Sequence, residues 1–316
     1  MSLSILILTE SGTGIGFGHR VRMEALQDYM TLQGEQVNMV VYEAPDESTN
    51  WMSLPEKFAS PAEYDAILID SYLCSGDCYQ SLFQANPCLF VMDDFNRCHY
   101  AARGVINANL YFEDIDYSNQ TAPVFGGLNY TLLRPPFWKR DQTSARVPGK
   151  VLVTLGGSDY RDLLPSIAEM AKSFPGMVLV VPEPKKRDKV EKSAPGVKTL
   201  GRLSAEEMYL ELASADVVVS ACGQTLNECL ALGKKTIGIC IDHDQEKNRD
   251  YFVRNGFLLS CHQWDRPDLT KVLADDLAHA LGLSEVEFAD GMRGHFPMIN
   301  PVRSLENYRR LFLSCQ

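Results

Sequence analysis

The chain has no hydrophobic run of about 18 residues that could span a bilayer, and it has no excess of basic residues. Its N-terminus, MSLSILILTE, lacks the basic stretch of a signal peptide and soon reaches an acid, which is typical of a first β-strand. The formal net charge of -11 disfavours a general nucleic-acid or anionic-membrane binder, although it leaves room for a local basic pocket. We therefore expect no nucleic-acid partner and no membrane insertion.

The nine cysteines are odd in number and lie mostly in apolar or strand-like segments. This pattern indicates reduced thiols in the cytoplasm. Cys74 and Cys78 are four residues apart and Cys98 precedes His99, so a metal site is an alternative there. The spacing departs from the usual two-residue gap and no fourth ligand is evident. We therefore expect no bound metal and no cofactor.

Strand-like apolar runs alternate with helical segments along the chain, whose 316 residues are enough for two domains. Continuous apolar runs predict parallel strands covered on both faces. The predicted strands are SILILT, EQVNMVVYE, YDAILID, PCLFVMDD, GVINANLYF, GGLNY, KVLVTLGG, GMVLVV, DVVVSACG and KKTIGICI. The predicted helices are HRVRMEALQDYMTLQG, RDLLPSIAEMAKSF, SAEEMYLELASA and QTLNECLALG.

The segment TLLRPPFWKRDQTSARVPGK is rich in proline and charge and has no clear period, which predicts a linker. It divides the chain into an N-terminal domain, 1–145, and a C-terminal domain, 146–316. The pattern predicts an α/β fold with two doubly wound, Rossmann-like domains facing a cleft. We expect the last thirty or so residues to be helical and to pack back on the first domain, and we expect a monomer.

The segment SGTGIGFGHR, residues 11–20, is rich in glycine but matches neither standard phosphate motif. A dinucleotide fingerprint would need glycine where Phe17 or His19 stands, and a P-loop would need a lysine after the last glycine. A flexible turn remains, at the sheet edge where ligands bind in open α/β folds. There the helix dipole favours a neutral His19, which suits a general base. A capping or packing histidine is an equal alternative.

Two strand-to-helix turns in the second half, LGGSD and CGQT, can direct backbone amides at a diphosphate. Glu228, one turn further on, can accept both hydroxyls of a ribose. The alternatives are an N-cap at Ser158 or Asp159, a carboxylate that favours its own helix N-terminus, and an exposed polar helix face at DQEKN. The residues that these features make candidates for binding a nucleotide diphosphate are Gly157, Ser158, Gly223, Gln224, Thr225, Glu228, Gln245 and Asn248.

The stretch GIGFGHRVR, residues 14–22, resembles the signature of the UDP-sugar hydrolases of bacterial pseudaminic acid synthesis. The similarity extends over most of the chain, through IDSYL, VMDDFNR, INANLY, GGLNYTLLRPPF, LGGSD, QTLNECLALGK and DQEKN. The second-domain motifs are shared with the inverting glycosyltransferase that adds N-acetylglucosamine to the peptidoglycan lipid precursor. Spore-coat polysaccharide proteins belong to the same wider group.

This resemblance implies a glycosyltransferase-B-like fold and a metal-independent hydrolase that removes UDP from a 2,4-diacetamido-2,4,6-trideoxy sugar. Water would attack the anomeric carbon with inversion, and the catalytic histidine of the family falls on His19 as the general base. The residues that the resemblance implies for the sugar side are Gly14, Gly16, Gly18, Arg22, Asp70, Tyr72, Asp94, Asn107 and Tyr130.

The sequence departs from the family pattern at three places. Ser71 stands where a histidine is frequent, the second-domain turn reads Cys-Gly-Gln where serine or glycine is more usual, and the tail after about Asp265 extends past the common end. These departures affect the expected sugar specificity more than the chemistry. An inverting UDP-sugar glycosyltransferase with an unknown acceptor, and a nucleotide-sugar-binding module without turnover, are the alternative functions.

Overall fold

The computed structural model describes residues 2–12, 18–43, 60–139, 144–159, 161–292 and 299–316, with the side chains of 290–292 left aside. The chain divides into two compact units. The first unit comprises Met1–Trp138 and Ile299–Gln316, and the second comprises Lys139–Met298. The division falls within the segment expected to be a linker, seven residues before the expected boundary.

The first unit contains a six-stranded parallel sheet in the order β2-β1-β3-β4-β5-β6. Its strands are buried on both faces because their sequences are continuously apolar; Ile5, Leu6, Ile7 and Leu8 of β1 are all fully buried. The strands are β1 Ser4–Glu10, β2 Gln36–Tyr42, β3 Ala66–Asp70, β4 Leu89–Met92, β5 Gly104–Asn107 and β6 Val124–Gly126. The accompanying helices are α1 Gly18–Leu32, α2 Gly76–Ala85 and α3 Pro135–Lys139.

The second unit contains another six-stranded parallel sheet, in the order β12-β11-β10-β7-β8-β9. Its strands are β7 Val151–Thr154, β8 Met177–Val180, β9 Lys198–Leu200, β10 Val217–Ala221, β11 Lys235–Cys240 and β12 Ser260–Gln263. Its helices are α4 Leu164–Ala168, α5 Pro184–Ser193, α6 Ala205–Ser214, α7 Thr225–Ala231, α8 Glu246–Arg254, α9 Leu269–Gly282 and α10 Glu285–Met292. The prediction of two doubly wound α/β domains is confirmed.

Three local predictions differ from the structure. The strand predicted over 104–112 is shorter, since β5 ends at Asn107 and Phe112–Asp114 forms a 3-10 turn. The helix predicted over 161–174 is shorter, since α4 gives way to a 3-10 turn at Glu169–Lys172. The segment GGLNY is not a strand: β6 ends at Gly126, and Gly127–Asn129 forms a 3-10 turn. Gly127 has a φ of +67°, a left-handed conformation that ends the extended backbone.

The last helix, α11 (Pro301–Leu313), packs on the first unit. Leu305, Tyr308 and Phe312 are fully buried in the same apolar cluster as residues of β1 and α1. The Tyr308 hydroxyl donates to the carbonyl of Tyr130 at 2.9 Å. The C-terminal residues are therefore part of the first unit's core. None of the helices within the described residues is both long and apolar enough to cross a membrane.

Leu305→Ala should destabilise the first unit by about 2–5 kcal/mol, because it opens a cavity where α11 meets the sheet. Urea unfolding followed by circular dichroism measures the loss. The matched change Arg310→Ala on the same helix removes an exposed side chain and should cost under about 0.5 kcal/mol. Equal effects of the two changes would contradict the packing of α11.

Candidate active site

The site in the first unit is built on the carboxyl ends of neighbouring parallel strands. Asp70 is the last residue of β3, Asp94 lies two residues after β4, and Asn107 ends β5. His19 and Arg22 lie at the start of α1, three residues apart and so on one helix face. The chain leaves β1 for α1 at the point where the strand order reverses, which is where open α/β sheets bind ligands.

Arg22 lies between two carboxylates at the centre of this cluster. Its Nε and Nη2 donate to the two oxygens of Asp70, each at 2.6 Å. Its Nη1 and Nη2 donate to Asp94 at 3.0 and 3.1 Å. Four of the five N–H groups of a guanidinium are thus used within the protein. The structure therefore gives Arg22, predicted to contact the sugar, the role of holding the two carboxylates in place.

Asp70 also binds His19. Burial alone would raise the pKa of Asp70, but attraction to Arg22 and the hydrogen bonds from Arg22 and His19 hold it well below its usual range. Its Oδ1 lies 2.6 Å from His19 Nδ1. An ionised carboxylate only accepts hydrogen bonds, so we assign the proton of the neutral imidazole to Nδ1. The Arg22 Nη2 atom, 3.1 Å from the same nitrogen, is then a close contact between two donors.

The assignment leaves the Nε2 lone pair of His19 available. This nitrogen has no hydrogen-bond partner within the described parts of the chain. With Arg22 and the two carboxylates ionised, the cluster carries one net negative charge, and a proton gained by Nε2 would neutralise it. The arrangement of His19 and Asp70 can therefore take a proton from a nucleophile and hold it.

Tyr72 covers one side of the imidazole. Its ring meets His19 edge-on with 4.3 Å between centroids, and its hydroxyl donates to Asp94 at 2.6 Å. Burial raises the pKa of Tyr72, and the neighbouring Asp94 carboxylate raises it further, so the phenol stays protonated. Tyr72 is 36% exposed and thus the part of this cluster that a ligand meets most readily.

The sequence predicts a sugar contact at Asn107 alone, whereas the structure has two asparagines, Asn107 and Asn109, beside Asp94. Asn107 is fully buried, and its amide donates to the Tyr117 hydroxyl at 2.9 Å. Asn109 is half-buried and donates to Asp94 at 2.6 Å. Asn109 is therefore the better-placed ligand contact, and the Asn-x-Asn spacing of INANLY could have indicated it.

Two further residues that sequence reasoning missed hold the Tyr72 segment. Glu10, fully buried at the end of β1, accepts hydrogen bonds from the Ser71 hydroxyl at 2.5 Å and the Tyr72 amide at 2.6 Å. Arg97 donates to the carbonyls of Ser71 and Tyr72 at 2.6 and 2.7 Å. The serine at position 71, where the resembling family often has histidine, thus pairs with a carboxylate on the neighbouring strand.

The other residues predicted on the sugar side of the first unit are Tyr130 and the glycines before His19. Tyr130 packs against Tyr308 and Phe125 in the core, with ring centroids 5.5 and 5.7 Å away, and no described contact joins it to His19. Gly18 begins α1, and a Cβ there would meet nothing within 4 Å. Gly14 and Gly16 lie outside the described residues.

In the second unit, the two predicted turns follow β7 and β10, the neighbouring strands at which the order of that sheet reverses. At the first turn, Gly157 is exposed and the Ser158 hydroxyl donates to Glu183 at 2.6 Å. The Asp159 carboxylate accepts the amides of Leu163 and Leu164 at 2.9 and 3.0 Å. The N-cap position of α4 is Leu163. Asp159 therefore holds the first amides of this helix from outside it, and the N-cap that the sequence offered as an alternative at Ser158 or Asp159 is not found.

The second turn is held from α8. Gln245 accepts the amide of Cys222 at 3.1 Å, and Asn248 donates to the carbonyls of Cys222 and Gly223 at 2.9 and 3.4 Å. Gln245 and Asn248 therefore fix the backbone beside Gly223, Gln224 and Thr225. Glu228 lies one turn into α7 and is 5% exposed.

Among the described residues, no three histidine, cysteine or acidic side chains are placed to hold a metal ion. All nine cysteines lie within the described residues, and none of them forms a disulfide.

No protein-family profile and no curated protein sequence matches the chain. Its fold is similar to that of Acinetobacter baumannii MurG, with a TM-score of 0.62, 13% identity and coverage of 97% of this chain and 99% of that one. It is also similar to Arabidopsis thaliana UGT89C1 complexed with UDP, with a TM-score of 0.66, 13% identity and coverage of 99% and 100%. The chain has a glycosyltransferase-B fold.

A third similar structure is the UDP-GlcNAc 2-epimerase from Neisseria meningitidis bound to UDP-GlcNAc, with a TM-score of 0.59, 11% identity and coverage of 99% and 100%. Proteins with different activities thus have folds similar to that of this chain. The fold alone does not select among these activities, so the function has to be inferred from the residues of the site.

The stability of the first unit should fall as the pH drops from about 5 to 3. The folded pKa values of Asp70 and Asp94 lie below the unfolded value of about 3.9, so the unfolded chain binds protons first. Asp70→Asn should flatten this dependence and cost about 3–5 kcal/mol at pH 7, because Arg22 loses a partner. Urea midpoints measured from pH 7 down to pH 3 report both effects.

The control is Asp28→Asn, which changes an exposed carboxylate on α1. It should keep the wild-type pH profile. A profile of Asp70→Asn as steep as that of the wild type would show that the ionised cluster does not stabilise the fold.

Proposed function

We propose that this protein is a metal-independent hydrolase that removes UDP from a 2,4-diacetamido-2,4,6-trideoxy-hexose, with inversion at the anomeric carbon. The observation that carries the proposal is the 2.6 Å contact between His19 Nδ1 and Asp70, which leaves Nε2 as a base. The first unit supplies this base and the sugar contacts, and the second unit binds UDP. The reaction belongs to surface polysaccharide or nonulosonate synthesis.

His19 takes a proton from water as the water oxygen bonds to the anomeric carbon. The bond from that carbon to the diphosphate oxygen breaks, and UDP leaves with its electron pair. Asp70 holds the imidazole in one tautomer and stabilises the imidazolium that forms. His19 is 5% exposed, which favours a small nucleophile such as water.

The developing charge on UDP requires donors in the second unit. Backbone amides at 157–158 and 223–225 suit this role, because each follows a central strand at the point of strand-order reversal. Glu228 binds the ribose hydroxyls. Because amide donors can stabilise a diphosphate without a cation, we expect the reaction to need no metal. The rate of UDP release should therefore be the same with and without a chelator.

The sugar-side groups are Tyr72, Asn109 and the Asp94 carboxylate. Their mixture of an aromatic face, an amide and a carboxylate suits a sugar with acetamido groups and a deoxy carbon. The clamp formed by Glu10 and Arg97 around Ser71 and Tyr72 fixes the aromatic face.

The second candidate is an inverting UDP-sugar glycosyltransferase. The similarity to MurG and to UGT89C1 with UDP favours it. In that reaction His19 takes the proton from an acceptor hydroxyl instead of from water. The two reactions share every residue assigned above and differ only in the nucleophile.

His19→Ala should lower UDP release by about 10²–10⁴-fold, because the base is lost. Phosphorus NMR of candidate UDP-2,4-diacetamido sugars, without acceptor, follows the release. Added imidazole should restore part of the rate, while affinity for UDP stays unchanged.

His99→Ala changes an exposed histidine of the same unit and serves as the control. It should release UDP at the wild-type rate. If wild-type protein turns over only when an acceptor is added, the transferase is correct. If UDP binds and no condition gives turnover, the chain is a binding module and both enzymatic assignments fail.

Glu228→Gln should weaken UDP binding by roughly 10–100-fold, since a carboxylate acceptor to ribose is replaced by an amide. Calorimetric titration with UDP and with 2′-deoxy-UDP measures how much of the affinity depends on the ribose 2′-hydroxyl. The wild type should prefer UDP and the variant should not, whereas Glu206→Gln, an exposed change in the same unit, should retain the preference. An unaltered preference in Glu228→Gln would remove Glu228 from the ribose site.

A further inference from the structure

Three thiols meet on one face of the second sheet, next to the 223–225 turn. Cys222 directly follows β10, Cys240 ends β11 and Cys261 lies in β12. The Sγ atoms of Cys222 and Cys261 are 3.5 Å apart. Gly238 of β11 lies beneath them, where a Cβ would come within 2.9 Å of the Cys261 sulfur and 3.2 Å of the Cys222 sulfur. The absence of a side chain at Gly238 is therefore what lets the two sulfurs approach.

The surroundings divide the three thiols into a proton donor and two sulfurs that ionise more easily. Hydrogen bonding from Cys222, together with attraction to Arg249, outweighs burial and lowers the pKa of Cys240 to about 7. Hydrogen bonding from Cys222 also lowers the pKa of Cys261. The pKa of Cys222 is raised by the same two hydrogen bonds and by burial. Cys261 is the partly exposed member, so it combines access with thiolate character.

The other neighbouring thiols in the described chain lack this combination. Burial raises the pKa of Cys74, which lies beside Cys78. Burial also raises the pKa of Cys315, beside Cys88, to about 12. These two pairs are therefore internal controls for reactivity.

Cys222 is coupled to the turn that the proposed function assigns to UDP. Its amide and carbonyl are held by Gln245 and Asn248 at 3.1 and 2.9 Å. A disulfide needs a Cα separation of about 4.4–6.8 Å. Since β11 lies between β10 and β12, the Cα atoms of Cys222 and Cys261 lie beyond that range. Joining the sulfurs must therefore draw the end of β10 towards β12 and disturb the hydrogen bonds that Gln245 and Asn248 make to Cys222.

We propose that Cys222 and Cys261 are a reversible oxidation site whose disulfide disrupts the 223–225 turn. The Cys261 thiolate attacks hydrogen peroxide, the O–O bond breaks, and a sulfenic acid and hydroxide form. The Cys222 sulfur then attacks the Cys261 sulfur, the S–O bond breaks, and water leaves with the Cys222 proton. A dithiol reductant reverses the bond. The loss of UDP binding rests on the proposed function, whereas the disulfide and the turn's disruption do not.

The test treats the full chain with hydrogen peroxide, alkylates the remaining thiols and maps the peptides by mass spectrometry. A Cys222–Cys261 linkage should appear, and amide hydrogen exchange at 222–225 should accelerate. UDP affinity should fall by about tenfold or more and return with dithiothreitol. Cys261→Ser should abolish all three effects, and Cys315→Ser should abolish none.

Two results would overturn the inference: free Cys222 and Cys261 after peroxide, or a linkage to Cys240 in place of Cys261. A linkage without faster exchange at 222–225 would also overturn the coupling to the turn. If the reduced protein does not bind UDP, the proposed function fails. Peptide mapping and hydrogen exchange then still decide the oxidation site.

Discussion

The buried guanidinium of Arg22 is the interaction on which the first unit's site depends. It binds Asp70 and Asp94 with four hydrogen bonds of 2.6 to 3.1 Å, and both carboxylates stay ionised although buried. One of them then orients His19 and the other binds Tyr72 and Asn109. A single buried cation thus arranges a base and the polar groups around it, at the energetic cost of desolvating three charges.

Topology explains why these residues meet. Each unit has a parallel sheet whose strand order reverses near its centre. Near that point the first unit has His19 at the start of α1, Asp70 at the end of β3 and Asp94 just after β4. The second unit has there the backbone amides of the 223–225 turn, with Cys222 directly after β10. The same geometric feature therefore supplies side-chain chemistry in one unit and backbone donors in the other.

The sequence predicts the fold and part of the site for identifiable physical reasons. Continuous apolar runs identify parallel strands, and a polar residue that ends such a run, as Asp70 does, falls at the ligand-binding edge. Partners across the sheet are harder to predict, because they depend on which strands are neighbours. The contacts of Glu10 with the Tyr72 segment cannot be predicted from the sequence for this reason, and neither can the hydrogen bonds that Gln245 accepts from the amides of Cys222 and Ile241.

The most direct test of the central claim, that His19 activates water against a UDP-sugar, is turnover in oxygen-18 water. Proton NMR and mass spectrometry of the released sugar report the anomeric configuration and the position of the label. The account predicts oxygen-18 on the anomeric carbon with inverted configuration. Label on the released UDP in place of the sugar would show that water attacks phosphorus, and would contradict the account.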